Sequence, residues 1–572
     1  MKTSIIILTY NQLEYTRQCI ESIRTYTAAG GYELIIVDAG STDGTVDWLT
    51  QQEDLQVLYN ERKVGFIQGY NQGMRQAAGD QVLLLRNDAV VTVNWLTNLL
   101  ECLYSSAAVG AVGPMTNQGG NGQAAAANYQ NLTEMQVFAQ FYNQVMSRDW
   151  EERLKLLDFC LLIKKEVVDK VGYFDETLSP LGFEDDDYSF RIRLAGYKLL
   201  LSKNTFIHTA GSIPFVAAAE NRAKFMAKWG FDPTYSSLIR HDIISLMDKP
   251  HDQPIKVLDI GCACGGTLLQ IKNIYPQADT SGIEFNEQAA ASASLFADVI
   301  AADVEQTCLP YPQENFDYII LADVLEHLKD PWQALANLRP YLKADGQILA
   351  SIPNVTHFTV LRSLLQGNWH YVEAGILDRT HLRFFTLPEI VKLFNQAQYG
   401  IIQYLPLRIY ESAADQAFIQ QLAAVSKNPQ LSEQVRAYQY LVKAVKAPAA
   451  GVLTPHPVME LQKLIFLLRR IEQNIQPEEN LQVLFSYLDN RHASPDQIVQ
   501  AALIGLTNPG ESLLKLTFGC IKHGYRQYAQ TILDLAHAIS PGSMNTGLQC
   551  LRDILKGANP AGRNKTEVNH ES

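Results

Sequence analysis

The chain has 572 residues, more than a single hydrophobic core can organise, and this length corresponds to roughly three to four domains. Hydrophobic residues make up 47% and charged residues 19%, which excludes a largely disordered chain. A net charge of −13 offers no global field to nucleic acid, and eight scattered cysteines with one close pair, Cys262 and Cys264, exclude a disulfide framework and a paired-cysteine zinc site.

The opening apolar run, Ile5 to Leu8, is too short for a secretion signal, and no run of about eighteen apolar residues occurs. A cytoplasmic protein is expected, free or at the inner face of the membrane. From the first residue, β-rich runs (Ser4–Leu8, Glu33–Val37, Leu55–Leu58, Val82–Leu85) alternate with helical patterns. This alternation predicts a parallel sheet covered on both faces, with ligands beyond the carboxyl ends of its strands. The polar residues at those ends are Thr9-Tyr10-Asn11, Asp38 with Gly40 to Gly44, and Arg86-Asn87-Asp88. Further on, four acids, Glu184 to Asp187, precede a segment with apolar residues at helical spacing (Tyr188, Ile192, Ala195). Alone, such a run reads as an acid-rich helix start, which the N-terminal dipole tolerates.

The segments Ile7-Leu-Thr-Tyr-Asn11, Val37 to Thr45, Gly65 to Asn71, Leu84 to Val91, Val171 to Glu176 and the acidic stretch after Gly182 together resemble the family 2 glycosyltransferases of the GT-A fold, in order over residues 3 to about 230. The resemblance implies transfer of a sugar from a nucleotide-sugar donor, with inversion, to a glycan or lipid-linked saccharide. It implies donor binding by Thr9, Tyr10, Asn11 and Asp38 and by the Arg86–Asp88 segment. It also implies a divalent cation (Mg or Mn) held by Asp88 and His208. Asp185 takes the position of the general base, with Glu184 on the acceptor side, while Asp187 and Arg191 are expected to hold the helix. One departure stands out: Arg86 replaces an Asp or Asn. Either the arginine itself pairs with the phosphates, or the donor site is degenerate and the domain serves only to bind or tether glycan.

After a polar, Pro-containing linker (Asp248–Pro254), strand Ile255–Ile260, turn Gly261-Cys-Ala-Cys-Gly-Gly266 and a helix follow. Glu284 ends the next strand nineteen residues after Gly265, the spacing of a ribose-binding acid in a nucleoside-binding sheet. With Asp303-Val304, the run Phe316 to Leu328 and Asp345-Gly346, this part resembles class I S-adenosylmethionine-dependent methyltransferases, Rossmann-like in fold. The resemblance implies S-adenosylmethionine held by Asp259, Gly261, Cys262, Gly265, Glu284, Asp303 and Val304. Ala263 stands where the middle glycine is usual, and alanine is small enough for the site to be retained. Asp323, Glu326 and His327 share a face if their turn is helical. His327 is the expected catalytic residue, and His381, with Arg383, is expected on the acceptor side.

From Val458 the pattern is helical: Leu461, Leu464, Ile465 and Leu468 form one stripe, with Arg469 and Arg470 off it, and His523 to Pro541 resembles one tetratricopeptide-type helix pair. The expected organisation is thus α/β and multidomain: a GT-A domain (1–240), a class I methyltransferase domain (250–448) and an α-helical region (455–572) for docking or dimerisation. The expected function is a bifunctional enzyme that adds a sugar to a cell-surface glycan and methylates a sugar hydroxyl.

Overall fold

The computed structural model describes residues 1–144, 149–179, 182–211, 219–426 and 431–446, parts of 464–539, and residue 552. Two compact units result: Met1–Val324 with Asn337–Leu349, and Leu325–Ala336 with Ala350–Ser572. The linker expected at 248–254 lies inside the first unit.

In the first unit, β1 (Thr3–Thr9), β2 (Tyr32–Asp38), β3 (Leu55–Tyr59) and β4 (Gln81–Arg86) lead into β5 (Ala89–Val90), β6 (Val109–Met115), β7 (Trp150–Arg153), β8 (Cys160–Lys164), β9 (Lys198–Phe206) and β10 (His208–Thr209). Eight of them form one sheet in the order β3-β2-β1-β4-β8-β6-β9-β7. The four strands expected from the sequence run parallel to one another, and β6 and β9 form a further parallel pair. The later strands add antiparallel pairs through β8 and β7. Ile5, Ile6 and Ile7 are all fully buried, because helices cover both faces and leave no polar side for alternation to mark. Register places Thr9 opposite Asp38 and Leu8 opposite Arg86, so three strand ends finish at one edge. β5 and β10 form a separate antiparallel ribbon that sets His208 against Val90 and Thr209 against Ala89. This ribbon carries the late histidine back to the Asp88 segment.

The same unit contains β11 (Lys256–Ile260), β12 (Asp279–Glu284), β13 (Asp298–Ala301), β14 (Phe316–Ala322) and the first part of β15 (Leu342–Pro353), in the order β13-β12-β11-β14-β15. The chain reverses direction across the sheet at β11, the switch point where such sheets bind ligands. Strand β15 runs on into the second unit, where the order continues with β17 (Gln439–Lys446) and β16 (Tyr399–Leu407), an antiparallel pair.

A buried cluster within the first unit joins sequence-distant parts: Leu154, Phe183, Phe190, Phe225 and Phe231 pack with Cys264, Leu269 and Ala289, and Trp229 and Phe296 close over them. Glu152 and Asn273 exchange hydrogen bonds of 3.0 Å beside it, and the Cys264 N–H donates to the Ser236 carbonyl at 3.0 Å. The acid-rich helix Glu184–Leu194 therefore shares a core with the glycine-rich turn after β11.

In the second unit, helices Pro477–Asp489, Pro495–Gly505, Pro509–Lys522 and Arg526–Ile539 follow β17. Gly524, at φ 88°, turns the chain between the last two, and Phe485 stacks on Tyr525 with centroids 4.4 Å apart. Leu464, Ile465 and Leu468 of the expected stripe are buried. Leu461, Arg469 and Arg470 lie outside the described residues. Among the described residues, no helix is long and apolar enough to cross a membrane.

Candidate functional site

At the edge formed by β1, β2 and β4, Asp38 is buried and accepts the N–H groups of Gly40 and Ser41, each at 3.1 Å. The turn requires glycine at Gly40: φ is 89°, and a Cβ there would lie 2.7 Å from the Arg62 backbone. Asn11, at φ 55°, accepts the Thr42 N–H at 2.8 Å and donates its own N–H to the Ser41 hydroxyl at 2.7 Å. Thr9 and Thr16 hydroxyls lie 2.7 Å apart, and Lys63 sits over the half-exposed Tyr10 ring. The loops carrying Thr9, Tyr10, Asn11 and Asp38 are thus one bonded assembly.

At the end of β4, Arg86 donates through Nε and Nη2 to the two oxygens of buried Asp88, at 2.9 and 2.8 Å. The Gly211 N–H adds a third bond to Asp88 Oδ2 at 3.1 Å. His208 Nδ1 lies 2.7 Å from the Tyr129 hydroxyl, and burial lowers the imidazole pKa below its usual value, so the ring is neutral at pH 7. These residues do not fit a divalent cation. Both oxygens of the acid are engaged, its partner acid is replaced by a fixed positive charge, and the remaining donor is a single neutral imidazole.

Beyond Arg86 lies a nest of carboxyls. Burial pushes Asp158 up to about 6, although Arg86 draws it down. Burial, then the neighbouring Asp158, brings Glu184 to about 7, while its carboxylate accepts the Gly182 N–H at 2.5 Å. Asp185 is held well above the usual carboxylate range by burial and by Asp186, Asp158 and Glu184, and Lys155 opposes the shift. The Lys155 ammonium pairs with Asp186 at 2.5 Å. Asp187 accepts from Arg191 (2.8 Å), Trp229 (2.9 Å) and Lys228 (2.6 Å), which anchors the helix as expected. Of the four acids, Asp185 alone keeps part of its surface open. Lys155 and Asp158 belong to this site and carried no signal in the sequence: they sit in an irregular stretch with no motif around them.

The methyltransferase-like loop begins at buried Asp259, whose carboxyl is pushed up to about 8 by burial and by Glu284. Gly261 (φ 72°), Ala263 (φ 49°) and Gly265 (φ 81°) all take left-handed conformations. Glu284 accepts the Ala263 N–H and the Asn286 N–H at 2.7 and 2.8 Å and so clamps the loop. Cys262 packs with Leu268 and Ala293. Asp303 accepts the Glu305 N–H at 2.9 Å and the Gln306 amide at 2.7 Å, and Val304 follows at the half-exposed turn after β13. The residues present fit an adenosyl ligand, since small residues in left-handed turns and a strand-end acid leave space and acceptors for ribose hydroxyls. Arg240, absent from the sequence reading, is half-buried here, paired with Asp242 (2.8 Å) and Asp323 (2.5 Å).

Two predictions arise from this loop. Replacing Ala263 with Gly relieves a strain of about 1–2 kcal/mol and costs about 0.4–1 kcal/mol in unfolded-chain entropy. Thermal unfolding of this variant is therefore expected at a slightly higher temperature than wild type, and a lower midpoint contradicts the strained geometry. Glu284→Ala removes a charged acceptor, and the affinity for S-adenosylmethionine, measured by calorimetry, is expected to fall roughly 10–100-fold.

In the second unit, residues Leu325–His327 form a single 3-10 turn, preceded by Asp323 at φ 55°. Asp323, Glu326 and His327 are therefore not consecutive on one helical face, because the backbone reverses before the turn. Instead, buried Glu326 meets His327 and His381, one ligand atom of each lying within 4.8 Å of the others. His381 Nδ1 lies 2.9 Å from the Ile376 carbonyl, so that nitrogen carries the proton and Nε2 is left as an acceptor. His327 Nδ1 faces Thr380 at 3.1 Å. The three groups could hold a cation or a proton. A file of rings leads away from them: His327 to His381 (4.7 Å), His381 to Phe384 (6.3 Å) and Phe384 to exposed Trp369 (5.4 Å). Arg383 N–H and Leu382 N–H both bond the Glu326 carbonyl, at 3.0 and 2.8 Å.

Comparison with known proteins supports the division into two transferase domains. A family described as "Glycosyl transferase family 2" matches residues 4–172, and one described as "Methyltransferase domain" matches residues 231–404. Glycosyltransferase AglE of Haloferax volcanii is 27% identical over 210 residues, covering 36% of this chain and 64% of that protein. A malonyl-[acyl-carrier protein] O-methyltransferase of Bacillus anthracis is 29% identical over 133 residues, covering 22% of this chain and 48% of that protein. Among solved structures, mannosyltransferase PcManGT of Pyrobaculum calidifontis, in complex with GDP-Man and Mn2+, is 19% identical over 43% of this chain and 65% of its own, with a TM-score of 0.28. The chain thus spans between about half and two thirds of the length of these curated relatives. It carries a family 2 glycosyltransferase domain of GT-A fold and, after it, a class I methyltransferase domain.

Proposed function

We propose that this chain is a bifunctional transferase acting where nucleotide sugars and S-adenosylmethionine are both available, in the cytoplasm. Its first domain moves a sugar from a nucleotide-sugar donor to a glycan or lipid-linked saccharide, and its second methylates a saccharide hydroxyl. The observation that carries the first half is the position of Asp158. Arg86 lowers its pKa from the donor side, while Asp158 in turn raises that of Asp185 and Glu184 on the acceptor side. These couplings support a reading in which donor-side and acceptor-side groups belong to one site.

In this reading Asp185 takes the proton of the acceptor hydroxyl. The freed oxygen bonds to the anomeric carbon from the face opposite the leaving group. The bond from that carbon to the diphosphate breaks, and its electron pair leaves with the diphosphate. A carboxylate with a raised pKa is a stronger base than an exposed one, provided the site is at a pH that ionises it. In the methyltransferase half, bound S-adenosylmethionine supplies an electrophilic methyl group. In this reading His327 accepts the proton of the attacking hydroxyl, with His381 on the acceptor side. Exposed Trp369, at the end of the ring file, supports a saccharide acceptor, since an aromatic face covers the apolar side of a sugar ring. Joining the two activities in one chain raises the local concentration of one product near the next site.

Incubation with a panel of nucleotide sugars, oligosaccharide acceptors and labelled S-adenosylmethionine tests this reading. The expected product carries both an added sugar and an added methyl group. The Arg86–Asp88 pair favours a second reading, in which the first domain only tethers glycan to an active methyltransferase. Methyl transfer to saccharide without donor turnover by any nucleotide sugar selects that alternative.

A further inference from the structure

We propose that Arg86 is the resident cation of the donor site, and that it binds the diphosphate of a nucleoside diphosphate without a divalent metal. The proposal rests on the glycosyltransferase reading and deepens it. Arg86 uses Nε and one Nη2 proton on Asp88. Three N–H groups, two on Nη1 and one on Nη2, then have no protein partner among the described residues. The side chain keeps 21% of its surface open while Asp88 keeps only 6%. The guanidinium is thus fixed on one side by a buried carboxylate and presents donors on the other. That arrangement suits two phosphate oxygens, which a planar fork can bond together.

The surroundings favour an anion over a metal ion. Asp88 has one oxygen bonded by Arg86 and the other by Arg86 and Gly211. A Cβ on Gly211 would come within 2.8 Å of Asp88 Oδ2, so the backbone there packs onto the acid and leaves no room for an ion on that side. A divalent ion bound to the same carboxylate would stand beside a permanent positive charge and would be repelled. His208 completes the site. His208 Nδ1 lies 2.7 Å from the Tyr129 hydroxyl, and in the tautomer in which that hydroxyl donates, Nε2 carries the proton as a further donor to an oxyanion. Charge that builds on the leaving diphosphate is then met by Arg86 and the neutral His208, both held in place before the reaction.

The test is titration of the full chain with UDP and with GDP, by calorimetry, in EDTA and in millimolar Mn2+. The expected result is binding in EDTA that Mn2+ strengthens less than threefold. Arg86→Gln is expected to weaken binding by about 100-fold, as loss of a bidentate charged contact does. Arg86→Lys keeps the ion pair with Asp88 but loses the fork, and a weakening of about tenfold is expected. Should Arg86→Gln fail to fold because Asp88 is left unpaired, the double variant Arg86→Gln, Asp88→Asn keeps the site neutral and carries the same expectation. Binding that appears only with Mn2+ overturns the resident-cation proposal and leaves the glycosyltransferase reading standing. Binding of neither nucleotide under either condition overturns both. Affinity unchanged in all three Arg86 variants overturns the proposal alone.

Discussion

Asp185→Asn is expected to reduce sugar transfer by roughly 10²–10⁴-fold, the contribution of a positioned general base, while S-adenosylmethionine binding stays at the wild-type level. The variant is close to isosteric. Asp185 Oδ1 accepts the Asp186 N–H at 2.9 Å, and an asparagine oxygen can take the same bond, so the helix start is kept. What is lost is the carboxylate whose proton affinity is raised by burial and by three acidic neighbours. The pH profile carries the sign. A base works when ionised, so wild-type activity rises as pH increases through the pKa of the carboxyl nest and then levels off. The asparagine variant shows low activity without that limb. Initial rates of the two proteins from pH 5 to 9 check this, and activity within threefold of wild type shows that Asp185 is not the base.

Lys155→Met is expected to cost about 3–5 kcal/mol of stability, because it leaves a buried carboxylate without its ion-pair partner. Lys155 pairs with Asp186, and its charge is also felt by Asp185. In the folded chain Asp158 titrates near 6 and Glu184 near 7, above the values carboxyls take when unfolded. The folded state therefore binds more protons than the unfolded state between about pH 4 and 7, and stability falls as pH rises through that window. Lys155 also draws the raised pKa of Asp185 down, so removing it raises that carboxyl further, and the loss is expected to be larger at pH 8 than at pH 5. Denaturant unfolding at the two pH values measures it. Lys155→Arg restores the charge and is expected to recover most of the stability. Equal unfolding midpoints for the methionine variant and wild type at both pH values contradict the ion-pair account.

Much of the first domain was legible because its strands are short apolar runs whose polar ends fall at one edge. Thr9, Asp38 and Arg86 share that edge through β-register alone. The departure at Arg86 was visible as a residue type, but its pairing with Asp88 depends on rotamer and burial that no spacing encodes. Lys155 and Asp186 are thirty-one positions apart, and one long-range ion pair leaves no periodic trace. The same limit hid Arg240. Ala263 showed as a departure from a glycine pattern, whereas its φ of 49° needed the backbone. The expected common face for Asp323, Glu326 and His327 failed because a left-handed residue precedes the 3-10 turn. His381, fifty-four positions after His327, replaces Asp323 in the cluster. Spacing rules apply within one helix, and this site is built across a loop.

The aromatic cluster around Phe183, Phe190, Phe225 and Phe231 has a consequence in time. Its other wall, Leu269 and Ala289, is made later in synthesis, fifty-eight residues after Phe231 in the case of Ala289. At roughly 5–20 residues per second, about three to twelve seconds separate the two halves on the ribosome. During that interval four phenylalanines and Trp229 face water on a nascent sheet already able to form. The glycosyltransferase half is thus born with a sticky flank that its own downstream sequence must reach and cover before another chain does.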